Sequence, residues 1–349
     1  MDLGTTNTVL VTGGAGYIGA HTAKALASQG FRPVVYDNLS SGFREAVLWG
    51  ELVHGDIRDE RRLCEALDAH RVSAVIHFAS LIEVGRSVTR PDLFYDCNVS
   101  GTATLLSALR RCGVGRLVFS SSAAVYGHQP GRSPLEILSE ALPKDPASPY
   151  GDTKLACERM IAAHAGAFGF SAIALRYFNA AGADPQGRIG EAHEPETHLI
   201  PLAITAALGV GKPLTVFGDD FGTPDGSCLR DYIHVDDLAA AHVAALRAPL
   251  APGAFEALNV GTGLGHSVFD VIASVERAVG APVPHSVGPR RAGDPPSLVA
   301  DPRRAQALLG WRATASSLDQ ITRDAAAWHR APRYGAGKGH LELLQDAAA

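Results

Sequence analysis

The stretch VLVTGGAGYIGAHTAKALASQG, Val9 to Gly30, opens with a short apolar, β-branched run, turns through Gly13, Gly16 and Gly19, and continues into a run of helix formers. Glycines at three-residue spacing let the backbone approach a pyrophosphate, and the start of the following helix offers N–H groups and the positive end of its dipole. A glycine-rich turn alone is a weak sign of a ligand. Here a second strand-like run, RPVVYD, ends in Asp37, at about the distance expected of an acid that holds an adenosine ribose. The two segments together predict a dinucleotide site. An acid at Asp37 repels a ribose 2′-phosphate, and the nearby cation, Arg44, lies beyond the NLSSG turn, so NAD is favoured over NADP.

The same rhythm continues along the chain, where SAVIHFAS, GRLVFSSS and SAIALRYFN are near-continuous apolar runs separated by helix-like stretches. Strands buried on both faces predict an α/β chain with a doubly wound parallel sheet. After Asn179 the pattern changes to loops rich in Gly, Pro and acids, with a helix-like run, LIPLAITAALGVG, and an isolated strand, LTVFG. We expect a nucleotide-binding domain over 1–180, a smaller α/β substrate-binding domain over 181–335 and a frayed tail over 336–349. EALNVGTG reads as a strand that returns to the first sheet, so residue 180 need not be a clean boundary.

With 349 residues the chain can bury a sizeable core, and its net charge of −5, interspersed along the sequence, excludes a nucleic-acid stripe. No apolar run reaches membrane-spanning length and no basic leader precedes the first strand, which predicts no membrane partner and a cytoplasmic protein. The five cysteines lie far apart, as suits reduced thiols. The most metal-like segment is HEPETH, but His193 and His198 are five residues apart and Pro195 would interrupt a zinc-protease helix. It reads as a polar surface loop, with no metal expected.

In ASPYGDTKLACERM, Ser148 is a plausible helix cap and Pro149 a first helical residue, so Tyr150 and Lys154 fall one turn apart on one face. A phenol with a pKa near 10 is a poor base at neutral pH, and lowering it by ~3 units takes about 4 kcal/mol of support for the phenolate. The Lys154 ammonium and the positive ring of a nicotinamide would supply that support. Ser122, at the end of the preceding strand, could relay a proton to the same substrate hydroxyl, which makes a Ser122, Tyr150 and Lys154 set for hydride-transfer chemistry. Asp56, after LVHG, offers an acceptor to an adenine amino group with Ile57 beside the ring, although a plain turn aspartate fits the same residues.

Taken together, these segments resemble the extended short-chain dehydrogenase/reductase superfamily and, within it, the UDP-glucose 4-epimerases. The resemblance runs from Val9 to about Arg312 through GGAGYIG, YDNLSSG, GDIRD, VIHFAS, VGRSV, NVSGT, FSSSAAVYG, SPYGDTK, LRYFNAAGA, LRDYIHVDDLA, NVGTG and RRAGD, in one order. It implies a Rossmann-type fold, tightly held NAD, a UDP-sugar substrate, and a cytoplasmic homodimer whose contact includes the helix of Tyr150. Carried over position by position, it implies that NAD meets Gly13, Gly14, Gly16, Tyr17, Ile18, Gly19, Asp37, Asn38, Leu39, Ser40, Asp56, Ile57, Phe78, Ala79, Ser80, Asn98, Tyr150, Lys154 and Phe178. For the nucleotide sugar it implies Ser122, Tyr150, Asn179, His198, Leu199, Phe217, Arg230, Arg291, Asp294 and Leu298. Arg230 and Arg291 suit a diphosphate because a guanidinium fork matches phosphate oxygens.

Related dehydratases resemble the strand end SSSAAVYG but carry an Asp-Glu pair where this chain has Ala123 and Ala124, and related decarboxylases carry a Glu at the second position. Without those acids the resemblance implies an isomerase, interconverting UDP-glucose and UDP-galactose through a 4-keto sugar. The neighbouring readings are a 4-epimerase of UDP-N-acetylhexosamines or of UDP-pentoses, a nucleotide-sugar dehydratase or decarboxylase, and a non-catalytic regulator of the same fold. The chain departs from the pattern at Ile82 and Glu83, where some members have Lys, and at His198, where Asn often stands and where donation to phosphate would vary with pH. Leu298 stands where a large Tyr closes the sugar pocket or a smaller residue admits an N-acetyl group.

Overall fold

In the computed structural model the described residues are 7–127, 129, 131, 133, 136–291 and 294–335. The expected tail over 336–349 lies outside them.

The first half runs β1 (Thr8–Thr12), α1 (Tyr17–Ser28), β2 (Arg32–Asp37), β3 (Glu51–His54), α2 (Glu60–Ala69) and β4 (Ala74–His77). It continues through α3 (Val84–Thr89), α4 (Pro91–Phe94), α5 (Gly101–Arg111), β5 (Arg116–Ser122), α6 (Pro149–Phe168) and β6 (Ser171–Tyr177). Then come β7 (Asn179–Ala181), α7 (Leu199–Ala207), β8 (Leu214–Phe217), β9 (Leu229–Arg230), β10 (Tyr232–His234) and α8 (Val235–Arg247). The chain closes with β11 (Phe255–Val260), β12 (His266–Ser267), α9 (Val268–Val279), β13 (His285–Gly288), β14 (Ser297–Leu298), α10 (Arg303–Leu309) and α11 (Leu318–Arg330).

Seven parallel strands form one sheet in the order β11-β6-β5-β4-β1-β2-β3. The order reverses between β1 and β4, and ligands bind open α/β sheets at the carboxyl ends of the strands beside such a point. Every residue of β1 and β4 is buried, which is why their sequences are continuous apolar runs rather than alternating ones. One face packs Leu10, Val75, Leu117 and Phe119 against α2, α5 and α6. The other packs Val9, Val11, Ile76 and Val118 against α1 and α8.

EALNVGTG does return to the main sheet: β11 pairs with β6 from Phe255↔Ala172 to Val260↔Tyr177. Helix α8 also packs on α1, so chain from beyond residue 180 completes both the sheet and its cover. Smaller sheets join β10 to β7, β13 to β8, and β12, β9 and β14 to one another. They and helices α7, α9 and α11 surround a separate core of Ile200, Ile204, Val271, Val275 and Ile321.

Candidate active site

Gly13 ends β1 with a φ of +71°, a left-handed conformation in which a side chain is strained. A Cβ there would stand 2.6 Å from Ala79 N, just past β4, so the two strand ends meet at backbone distance. Gly19 is as tightly held, since a Cβ would lie 2.3 Å from Gly13 O. No described side chain caps α1 and no acid occupies its first turn, which leaves the helix's positive end to an anion. Asp37 fits the adjoining ribose position: its carboxylate is buried, and accepts from Ala15 N at 3.0 Å and Leu39 N at 2.8 Å. Burial raises its pKa, while those two N–H groups partly restore the charged form. The cradle and acid fit a dinucleotide.

Several of the other residues expected to meet NAD are committed to contacts within the protein. Tyr17 donates its hydroxyl to Gly182 O at 2.6 Å, tying α1 to the chain beyond β7. Asn98 takes Leu81 N at 2.8 Å, and donates to Leu81 O at 3.1 Å and Thr153 Oγ1 at 3.0 Å. It therefore holds the loop after β4 against α6. Asp56 is gripped by Arg58 Nε and Nη2, both at 2.8 Å, and by Asn38 Nδ2 at 2.9 Å. Those partners hold its carboxyl well below the usual range. Ile57 is buried against Gly101, Ile18 and Phe78 flank the α1–α8 face, and Leu39 packs over Ala15 and Val35. Gly14 has Val35 where a Cβ would go, and Ser40 is exposed.

Ser148 caps α6 by accepting from Gly151 N at 3.2 Å, with Pro149 in the first turn, so Tyr150 and Lys154 share the buried face as expected. Lys154 Nζ donates to Ser80 Oγ at 3.0 Å and Ser120 O at 2.9 Å, and stands 5.8 Å from the centre of the Tyr150 ring. Burial pulls its pKa down to about 8. Burial and the Tyr177 phenol push Tyr150 well above its ordinary value, which hydrogen bonding with Ser122 partly offsets. The pocket by itself keeps the proton on Tyr150 Oη, and positive charge must approach the phenol to release it. Ser122 starts a turn over Ala123–Val125 and accepts from Ala124 N at 3.1 Å, and the two residues directly after the strand are alanines, not acids.

Most of the residues expected to meet the nucleotide sugar lie on or next to the small sheets. Arg230 pairs in register with Leu298 and donates from Nη1 to Leu229 O at 2.8 Å and Pro295 O at 3.1 Å, with Asp294 3.8 Å from Nη2. The Arg291 guanidinium lies 4.0 Å from the centre of the Phe217 ring. Asn179 begins β7 and its N–H bonds Asp231 O at 3.0 Å. Leu199 begins α7 against the second core. Leu298 and Phe178 pack with Tyr126, Leu138 and Leu155.

The variation with pH expected of His198 does not follow from its surroundings. Its Nδ1 lies 2.9 Å from Glu191 Oε1 and 3.0 Å from Glu196 Oε1. Burial opposes its charge, but the two glutamates hold its pKa up to about 10, so it does not switch near neutrality. HEPETH is irregular and exposed at Glu194, Pro195 and Thr197, as a polar surface loop should be, while His193, Glu196 and His198 are half-buried beside the buried Glu191. The sequence reading missed Glu158, Arg176 and Tyr177, and the i, i+4, i+8 spacing of Tyr150, Lys154 and Glu158 on one helix face was the available signal.

Residues 9–261 match the NAD dependent epimerase/dehydratase family. A UDP-glucose 4-epimerase of Rhizobium meliloti (strain 1021) is 50% identical over 93% of this chain and 97% of its own length. The crystal structure of UDP-glucose 4-epimerase from Brucella ovis in complex with NAD is similar with a TM-score of 0.88 at 50% identity, covering 92% of this chain and 98% of that one. The Bifidobacterium longum UDP-glucose 4-epimerase in complex with NAD+ and UDP gives a TM-score of 0.88 at 36% identity, over 94% of this chain and 100% of that one.

Proposed function

The chain belongs to the NAD dependent epimerase/dehydratase family, and from that membership we propose that it is an NAD-dependent isomerase interconverting UDP-glucose and UDP-galactose. The observation that carries the reading is the convergence of Tyr150, Lys154 and Ser122 at the end of β5, with Ala123 and Ala124 where an elimination would need acids.

Gly13, Gly16, Gly19 and Asp37 would hold the dinucleotide, with Lys154 and Ser80 at its far end. Bound NAD supplies the acceptor for hydride from carbon 4 of the sugar and returns that hydride to the opposite face of the ketone. Tyr150 Oη takes the proton of the 4-hydroxyl and gives it back after the sugar turns. Lys154 supplies positive charge beneath the phenol, and Ser122 Oγ steadies the same oxygen. Arg230 and Arg291 bind the diphosphate, with Phe217 beside Arg291 and Asn179, Leu199, Asp294 and Leu298 around the nucleotide sugar. Cytoplasmic location and a homodimer belong to the same proposal. The dimer is supported by Val84 and Val88 of α3 and by Tyr95, exposed beside α6. Among the described residues no helix is long and apolar enough to cross a membrane.

A second substrate range is favoured by Leu298. Its side chain is shorter than a tyrosine, so some turnover of UDP-N-acetylhexosamines accompanies the main reaction.

The test is to incubate the protein with UDP-galactose without added NAD and follow products by NMR beside Tyr150→Phe. Formation of UDP-glucose by the wild type alone supports the reading. A product lighter by water or carbon dioxide, or no conversion of any UDP-sugar, overturns it.

A further inference from the structure

Four side chains of one loop, Glu191, His193, Glu196 and His198, offer ligand atoms that all lie within 4.8 Å of one another. From this convergence we infer that the loop is a binding site for one divalent transition-metal ion, of the zinc or cobalt type, outside the epimerisation chemistry.

The donors are the right kind and number. Two imidazoles and two carboxylates suit a tetrahedral dication better than calcium or magnesium, which prefer all-oxygen sets. Zinc bonds of about 2.0–2.2 Å place neighbouring ligand atoms roughly 3.3–3.5 Å apart. Four separations in the loop already bracket that edge, at 2.9, 3.0, 3.2 and 3.7 Å between the histidine Nδ1 atoms and the glutamate oxygens. His193 Nδ1 is buried and makes no hydrogen bond, although Glu191 Oε1 is 3.2 Å and Glu196 Oε2 3.7 Å away.

Charge balance also allows the exchange. Two imidazoliums facing two carboxylates are neutral as a group; one dication with two neutral imidazoles and the same carboxylates is neutral too, with two protons passing to water. The cluster thus takes up the ion without changing its net charge in a partly buried place.

The surroundings hold the ligands in place. Thr197 N and His198 N donate to Glu196 Oε1 at 2.7 and 2.8 Å, and Trp328 Nε1 donates to Glu191 O at 2.8 Å. Beside the loop is a cavity of about 220 Å³ bounded by Trp328 and Tyr334, as well as Glu191, His193 and Glu196. Because His198 immediately precedes α7, the ion would clasp the loop onto the start of that helix.

Metal-stripped protein retaining its NAD would be dialysed against Zn2+ and titrated with Co2+. One ion per chain at micromolar Zn2+, the visible bands of tetrahedral Co2+, and a higher Tm with Zn2+ are expected. His193→Ala and the near-isosteric Glu196→Gln should each weaken binding at least tenfold and remove the Co2+ bands. No stoichiometric binding by the wild type, or equal binding by both variants, overturns the site. These readouts do not use turnover, so they stand or fall apart from the proposed isomerase activity.

Discussion

Arg176 donates from Nη2 to Glu158 Oε2 at 2.6 Å and from Nε to Glu158 Oε1 at 2.8 Å, inside the protein and one helical turn beyond Lys154. Ser121 Oγ bonds the same carboxylate at 2.5 Å, and Arg176 Nη1 reaches Tyr126 Oη at 3.0 Å. The pair joins β5, β6 and α6 directly under the Tyr150 and Lys154 stripe. It fixes the rotation of the helix that carries the proposed base.

Removing one partner strands the other charge away from water. Arg176→Met is expected to destabilise the fold by about 3–5 kcal/mol, whereas Arg176→Met combined with Glu158→Gln loses less, because no bare carboxylate remains buried. Urea denaturation of the single and double variants measures the difference, and equal losses would count against the pair as the helix anchor.

Tyr150→Phe removes one hydroxyl from a pocket that is otherwise well packed. Epimerisation should fall by roughly 10²–10⁴-fold, the range for a positioned acid–base group, with little change in melting or bound NAD. A variant that kept wild-type turnover would move the proton-transfer role to Ser122.

Gly19→Ala inserts a methyl 2.3 Å from Gly13 O and 2.7 Å from Gly14 Cα, both backbone atoms that cannot swing aside. The glycine turn must open, so the variant should purify with much less NAD. Ultraviolet absorbance and nucleotide released on denaturation report it.

The stability of the chain should fall in acid because of two buried histidines. Burial and Lys154 lower His77 to about 3, and burial lowers His242 to about 4 despite its bond to Leu238 O. The unfolded chain takes up these protons as pH falls through 6.5, whereas the folded one does not. Their stability contribution is thus complete above pH 6.5 and is lost as the pH falls toward 4, at about 1.4 kcal/mol per pH unit for each histidine. His242→Leu should lower that slope by about one proton in denaturation curves taken between pH 5 and 6.

The first sheet was legible because its strands are buried on both faces and its βα turn needs glycine, two requirements that act on neighbouring residues. Ser148, Pro149, Tyr150 and Lys154 were legible for the same local reason. Partnerships across the chain were not. That Asn98 is spent on Leu81 and Thr153, or that Glu158 meets Arg176, depends on how distant strands are ordered. In HEPETH only helix spacing was weighed as a metal pattern, and the approach of His193, Glu196 and His198 to Glu191 depends on the path of an irregular loop that spacing does not describe.

Leu298 is where substrate choice can be tested most directly. It lies on β14, in register with Arg230, and its side chain packs with Tyr126, Leu138 and Phe178 beside the proposed sugar site. A tyrosine there would extend past the leucine into whatever volume an N-acetyl group uses, while a hexose hydroxyl needs less. Differences of this size in a pocket are worth ~1–3 kcal/mol, or about 10–200-fold in relative kcat/KM. Leu298→Tyr is therefore expected to depress turnover of UDP-N-acetylgalactosamine at least tenfold relative to UDP-galactose, measured by competing the two in one NMR tube. An unchanged ratio would mean that the N-acetyl group, if accepted at all, is accommodated by residues other than Leu298.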